Sequence, residues 1–497
     1  MDRSTIFPPQ RNDVKQRLNG TAPPKQAAPF VVLFFLLISG CASAGHNYVP
    51  PKMSVPETWS GSTSAGTAVK EIDPQVLAKW WTLFQDPLLT ELVEQAVTQN
   101  LDIKTATSRV RQARAQRGIA RTAYLPAVKA NGSASGSRTE ADNGDVNTNE
   151  LYKVGFDASW EIDIFGGTRR SVEAANAELD ASVENLRDVL VSVVSEVALN
   201  YTDVRSYQTR LSITERNLDL QSEIFSITKW RAEAGLTTQL DVEQAKYVLE
   251  QTRAGIPALE TSLSKAKNRL AVLLGRNPSS LNEILSDRKA IPSAPLEVAV
   301  GVPADVLRRR PDVRQAERLL AAQTAQIGVA AADRFPSFAL SGSTGLESLK
   351  LADLFSAGTW ISSIASNIGY TLFDAGRIRQ NITVQTELQE QALTTYESAV
   401  LNAIEEVENA LTAFAGEQVR HRSLLEASQS AEKAVEMVTI QYNSGQKDFQ
   451  VLLDAQRSLL TYQDQVASSE GEITSDLIRL YKALGGGWTP MTSTSIK

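Results

Sequence analysis

His46 and His421 are the only imidazoles in the chain, and Cys41 is its only thiol. Metal binding and nucleophile–base catalysis need such groups in clusters, with partners at motif spacing. Neither histidine has a serine, a cysteine or a set of metal ligands at such spacing. The acidic pair Glu405-Glu406 reads as a solvated helix face. The densest basic run is Arg308-Arg309-Arg310, ahead of Pro311-Asp312. With a net charge of −7 it reads as ion pairing or solvation, not as a nucleic-acid footprint. These residues predict no enzyme, no cofactor, no metal site and no nucleic-acid partner.

Cys41 matters for its position. Residues 30–38 form a nearly unbroken apolar run, too short for the roughly 20 residues of a membrane-spanning helix. The run has the length of a signal-peptide apolar core. It ends in Ile38-Ser39-Gly40-Cys41, which resembles the bacterial lipobox. That resemblance implies a signal peptide over 1–40 and a lipid on Cys41; the alternative is a small buried hydrophobe. Ala42 rather than Asp follows the cysteine, which by the same analogy favours the outer membrane. The polar stretch before the apolar core is long, so an extended signal and a later start both stay open. Residues 41–74, rich in Ser, Gly, Pro and Thr, read as an extended lipid-anchored arm.

The elements that follow are organised by a duplication. Residues 100–275 recur, shifted by 210 positions, at 310–485. Tyr124-Leu125-Pro126 lines up with Arg334-Phe335-Pro336, Glu196-Val197 with Glu406-Val407, and Gly235 with Gly445. Repeat 1 is placed at 75–285, a connector with no clear period at 286–309, repeat 2 at 310–488, and a tail at 489–497. Each copy reads as helix, two strands, very long helix, long helix.

The strands show period two. Tyr152, Val154, Phe156, Ala158, Trp160, Ile162 and Ile164 alternate with Lys153, Gly155, Asp157, Ser159, Glu161 and Asp163. Strands are expected at about 127–139, 151–164, 337–347 and 359–373. An apolar face opposite a polar one fits a transmembrane β-strand, though a soluble sandwich strand alternates in the same way. Four strands cannot close around a lumen, and open edges are not tolerated in lipid. If these strands cross a membrane, several chains must share one barrel.

Residues 168–234 contain no Gly and no Pro, enough for about 100 Å of helix at roughly 1.5 Å per residue. Gly235 breaks the run and a partner helix is expected over 238–274, kinked at Gly255-Ile256-Pro257. The second copy repeats this around Gly445. Each repeat therefore predicts one long antiparallel hairpin with a glycine at its tip.

The lipobox, Trp80-Trp81 with Asp86-Pro87, the run from Arg308 to Glu317 and the paired strand–hairpin repeats together resemble the TolC-like outer-membrane efflux proteins. The lipid-anchored NodT/OprM branch is the nearest in pattern, and the resemblance covers roughly residues 41–488. It implies an α+β membrane protein: a homotrimer whose chains each give four strands to one twelve-stranded transmembrane β-barrel and their long helices to a periplasmic α-barrel. It implies a lipid-anchored protein of the Gram-negative outer membrane. Its role would be the passive exit duct of a tripartite pump exporting small molecules. The partners would be a periplasmic adaptor and an inner-membrane transporter, usually of the proton-driven RND class. A duct for type I protein secretion and one for heavy-metal cations are the alternatives. A periplasmic adaptor or coiled-coil scaffold would show one hairpin and small β-domains, not two hairpins each preceded by such strands.

The resemblance also places a periplasmic gate at the hairpin tips. Matched by position, Asp241 and Tyr442 keep a hydrogen-bonding pair of that gate, and Lys447 stands where an arginine stands in better-known members. Asp454 keeps the inner of two aspartate rings, while Val451 replaces the outer one and Leu240 replaces a gate threonine. The alternative for Asp241 is a helix-start acid favoured by the macrodipole. Arg231, Gly235, Leu236, Ser444 and Gly445 are implied as the adaptor-docking tips; plain turn chemistry is their alternative.

Overall fold

The structure is a computed structural model that describes residues 43–60, 67–68, 73–140, 144–293 and 298–488. Cys41, the expected signal peptide and the 489–497 tail lie outside the described residues. All elements below belong to one unit that begins at Ala44.

Local capping starts the helices. Asp73 accepts from Gln75 N and opens α1 (Pro74–Ala78). Asp86 Oδ1 accepts from Leu88 N and Leu89 N, and Pro87 follows it, so α2 (Pro87–Gln99) begins with two of its free amides satisfied. Asn100 ends α2 and caps α3 (Leu101–Thr122), while its Nδ2 donates to the Leu273 carbonyl at 2.8 Å. One buried side chain thus joins one helix start and two helix ends.

Two long hairpins dominate. In the first, α4 (Gly167–Glu233) has 67 residues and α5 (Gln239–Leu273) has 35. After α6 (Pro303–Arg309) and α7 (Pro311–Ala332), the second hairpin is α8 (Arg377–Asn443), again 67 residues, and α9 (Phe449–Ala483), again 35. Helices α3, α4 and α5 each recur 210 residues on, as α7, α8 and α9. Both tips turn at a glycine of φ +73°, Gly235 and Gly445, a conformation that costs a residue with a β-carbon. Helix α5 stays helical through Pro257.

The strands are β1 (Thr67–Ala68), β2 (Ala127–Glu140), β3 (Val146–Glu161), β4 (Val298–Ala299), β5 (Ser337–Ser348) and β6 (Trp360–Gly369). The first and fourth pair only with each other, in parallel. The other four form one antiparallel sheet in the order β2-β3-β5-β6. Strand β3 starts at Val146 because polar Asn147 and Asn149 continue the ladder opposite Thr139 and Ser137. Strand β6 ends at Gly369, before the apolar Tyr370 and Leu372. There the chain turns at Asp374, whose carboxylate accepts from Gly376 N and Ile378 N to start α8. The connector is more ordered than its lack of period suggests. It contains α6, and its Ile291 is buried, as are Leu281 and Leu285 just before it.

The main core joins the two repeats. Trp80 stacks on Tyr481 with ring centroids 5.5 Å apart and meets Phe84 edge-on. Val197, Tyr201, Val407, Leu411, Phe414 and Leu480 belong to the same cluster. Arg310, only 6 % exposed, pairs with Asp312 at 2.6 Å and Glu406 at 2.7 Å and donates to the Ala483 carbonyl at 2.8 Å. Its neighbour Arg308 stays at the surface, 3.8 Å from Asp305. The N-terminal arm is laid on this body. Ala44 N donates to the Phe165 carbonyl at 2.8 Å. Arg170 binds Ala44 O, Gly45 O and Asn47 Oδ1, and Trp59 Nε1 reaches Gly301 O.

Candidate functional site: an open sheet above two helical tips

Register places the two faces of the sheet. Val154 lies opposite Gly132 and Leu346, Phe156 opposite Ala130 and Thr344, and Trp160 opposite Leu340. Leu340 and Gly342 lie opposite Ser366 and Ile364. Directly paired residues share a face, so Val128, Phe156, Trp160, Leu340, Ile364 and Ile368 line one side. Ile364 is 85 % exposed there. The other side carries Lys153, which pairs with Glu347 at 2.7 Å, and Asp157, which accepts from Asn131. Ser343 and Ser363 bond across it at 2.8 Å. On this polar side Gly155 faces Gly345, and a β-carbon on Gly345 would stand 2.4 Å from the Val154 carbonyl oxygen.

The sheet has 10 to 16 residues per strand, enough to cross a bilayer at about 9–11 per tilted strand. Among the described residues, β2 and β6 each leave one edge unpaired. With four antiparallel strands, β6 of one copy and β2 of the next run in opposite directions. A seam between copies therefore continues the same antiparallel pattern.

At the far end of the hairpins, Thr238 and Asp241 form a reciprocal capping box for α5. Asp241 Oδ2 accepts from Thr237 Oγ1 at 2.5 Å, Thr238 N at 3.0 Å and Thr238 Oγ1 at 2.8 Å. Burial alone raises its carboxyl, but these bonds outweigh it and hold the group below the ordinary range. The expected hydrogen bond between Asp241 and Tyr442 is not made within the chain. The Asp241 carboxylate is taken up by its own cap, and the buried Tyr442 hydroxyl has no partner.

Tyr442, 6 % exposed, is instead held by its ring. It packs on Phe449 at 5.4 Å, and the Arg231 guanidinium lies over it, 4.6 Å from the centroid. Such a contact is worth about 0.5–2 kcal/mol, more as water is excluded. Ala245, Val248, Tyr442, Phe449, Leu452 and Leu453 form a small core separate from the main one. It joins the first hairpin to the second. Nothing in the sequence pointed to the Arg231–Tyr442 contact, because the two residues are 211 positions apart and neither lies in a shared motif. Asp454 is exposed and accepts from Gln450 Nε2 at 3.2 Å on both oxygens. Lys447, Ser444 and Gly445 are exposed at the second tip, and Gly235 and Leu236 at the first. Leu236 is 70 % exposed beside the exposed Trp230 and Leu240.

Between the tip core and the main core lies a groove of about 530 Å³ lined by α4, α5 and α9. It is bridged by Arg210 to Asp464, with two bonds of 2.7 and 3.0 Å. His46 and His421 lie far apart in the sequence. Among the described residues no group of His, Cys, Asp or Glu is placed to hold a metal ion, and no helix is long and apolar enough to cross a membrane.

A two-faced sheet with open edges, carried on paired helical hairpins, defines a subunit of a membrane duct. The comparisons with known proteins give the family. The outer membrane efflux protein model matches residues 92–276 and 302–486, one match per repeat, and the chain belongs to that family. It is 35% identical to nodulation protein T of Rhizobium leguminosarum bv. trifolii, over 93% of this chain and 98% of that protein. It is 31% identical to the toluene efflux pump outer membrane protein TtgF of Pseudomonas putida, over 92% and 96%. The solved outer-membrane channel OprN superposes with a TM-score of 0.86 at 34% identity, covering 90% of this chain and all of that one. The fold is that of the TolC-like channels, and the chain is an outer-membrane efflux duct.

Proposed function

We propose that three copies of this chain form one passive duct, with the four-stranded sheets closed into a shared barrel and the hairpins joined into a periplasmic tube. The observation that carries this reading is the open-edged, two-faced sheet set above two hairpins of equal length. The duct performs no catalysis. It takes small molecules from a periplasmic adaptor and an inner-membrane transporter of the RND class; the name of the Pseudomonas putida relative supports small, apolar cargo. Cys41 carries the lipid that holds the arm to the membrane. The tips converge on a gate made of Asp241, Tyr442, Lys447 and Asp454. Arg231, Gly235, Leu236, Ser444 and Gly445 meet the adaptor.

The test is reconstitution. Purified protein should have the mass of three chains in detergent and give a small conductance in planar bilayers. Tyr442→Ala and Asp454→Ala should each raise or reshape that conductance. A monomer, or two variants that conduct as wild type does, would overturn the assembly or the gate respectively. Acyl label retained by Cys41→Ser would remove the anchor.

A further inference from the structure

Arg231 of the first hairpin lies over Tyr442 in the tip core, which Ile224, Phe225 and Val438 also pack against. Its guanidinium covers the Tyr442 ring at 4.6 Å, and its Nε is buried without an acceptor. The Tyr442 hydroxyl beneath is also buried without a partner. Arg231 stands in the last turn of α4, and its carbonyl accepts from Leu236 N at 2.8 Å, so it belongs to the exposed tip as well as to the core. Two unsatisfied donors sealed against an aromatic ring are a costly arrangement that alternative partners relieve. The Nε faces inward, so an acceptor on a docked protein reaches it only if the side chain swings out. That movement uncovers Tyr442.

From this geometry we propose that Arg231 is a latch coupling docking to opening. Stacked on Tyr442, it holds the first hairpin's tip to the second. Drawn off by a carboxylate or carbonyl of a docked adaptor, it frees Tyr442 and lets the two tips part. The inference rests on the gate and docking assignments proposed above. It adds that one residue serves both and that the gate tyrosine is held by a cation, not by Asp241.

The test uses full-length trimer in planar bilayers without any adaptor. Arg231→Ala should raise open probability on the order of tenfold, the scale of a desolvated cation–π contact. Arg231→Lys, which keeps charge without the planar stack, should fall between that variant and wild type. Tyr442→Ala should open the channel to a similar extent, and the double variant Arg231→Ala/Tyr442→Ala no further than the larger single change. Gel filtration of each variant checks that the trimer is intact. If Tyr442→Ala opens the channel while Arg231→Ala stays closed, or if the two effects multiply, the latch is wrong and the gate reading stands. If neither variant opens it, the gate reading fails too.

Discussion

Tyr201 Oη donates to Asp86 Oδ2 at 2.5 Å, so the residue that caps α2 is also held by the middle of α4. Arg205 completes the relay: its Nε and Nη2 donate to Tyr201 Oη, and its Nη1 donates to the Asp287 carbonyl of the connector. Asp86→Ala removes a cap and leaves the Tyr201 hydroxyl without its acceptor, an expected loss of about 2–4 kcal/mol. Tyr201→Phe removes the hydroxyl alone, at about 1–3 kcal/mol. Denaturant midpoints followed by helical circular dichroism should rank the two in that order. A milder effect from Asp86→Ala would refute the shared role.

Arg310 gathers the start of α7, the flank of α8 and the end of α9 through two carboxylates and a carbonyl. Arg310→Ala leaves the partly exposed Asp312 and Glu406 carboxylates and the Ala483 carbonyl without their shared partner and should cost about 1–3 kcal/mol. Arg310→Lys should recover little, since an ammonium cannot fork to Asp312 and Glu406 together. Thermal unfolding of the two variants decides; near-wild-type stability in the lysine form would show that charge alone suffices.

The sheet's faces make opposite predictions for adjacent residues. Ile364→Arg puts a charge on the apolar face, at about 2–4 kcal/mol near the bilayer midplane. It should reduce the amount of assembled protein in the outer membrane. Ser363→Arg, on the polar face, should assemble normally and alter conductance or ion selectivity. Quantitative blots and bilayer recordings separate these outcomes, and the reverse pattern would invert the sheet.

Burial holds the carboxyls of Asp203, Glu470 and Asp476 above their ordinary range. Glu472 adds to this at Asp203 and Asp476, and Arg479 opposes it at both; at Glu470 the opposing group is His421. A carboxyl raised in the fold binds its proton more tightly folded than unfolded. Its contribution is therefore fully present below the ordinary carboxylate pKa of about 4 and is lost as pH rises through the folded values. Asp241 has the opposite sign: its stabilisation is present above the ordinary value and lost as pH falls through the depressed one. Asp203→Asn with Glu470→Gln should raise the neutral-pH thermal midpoint and flatten its fall above about pH 4. An unchanged slope in the double variant would rule these carboxyls out as its cause.

The sequence carried the architecture because period and punctuation are local. The spacing between Gly235 and Gly445 returns in every helix pair, and the alternation around Phe156 returns as a face of the sheet. Thr238 followed by Asp241 is a short-range signal, and it forms the box that its spacing allows. The contacts that decide how the tips behave are long-range and leave no periodic trace. Phe449 and Arg231 meet Tyr442 only once two hairpins are side by side. The buried Leu281 and Leu285, just ahead of the connector, escaped for the same reason, since three-dimensional neighbours give them their core.

The N-terminal arm has a mechanical consequence. Its attachments come one after another along the chain: Ala44 on Phe165, then Asn47 on Arg170, Tyr48 on Glu317, Trp59 on Gly301 and Ser60 on Glu408. A pull on its leading end loads Ala44 and the Arg170 clamp first and leaves the later bonds slack. Such a seam fails by unzipping, at a force set by its first tooth, not by its total strength. Arg170 therefore sets how hard the leading end can be tugged before the arm begins to peel.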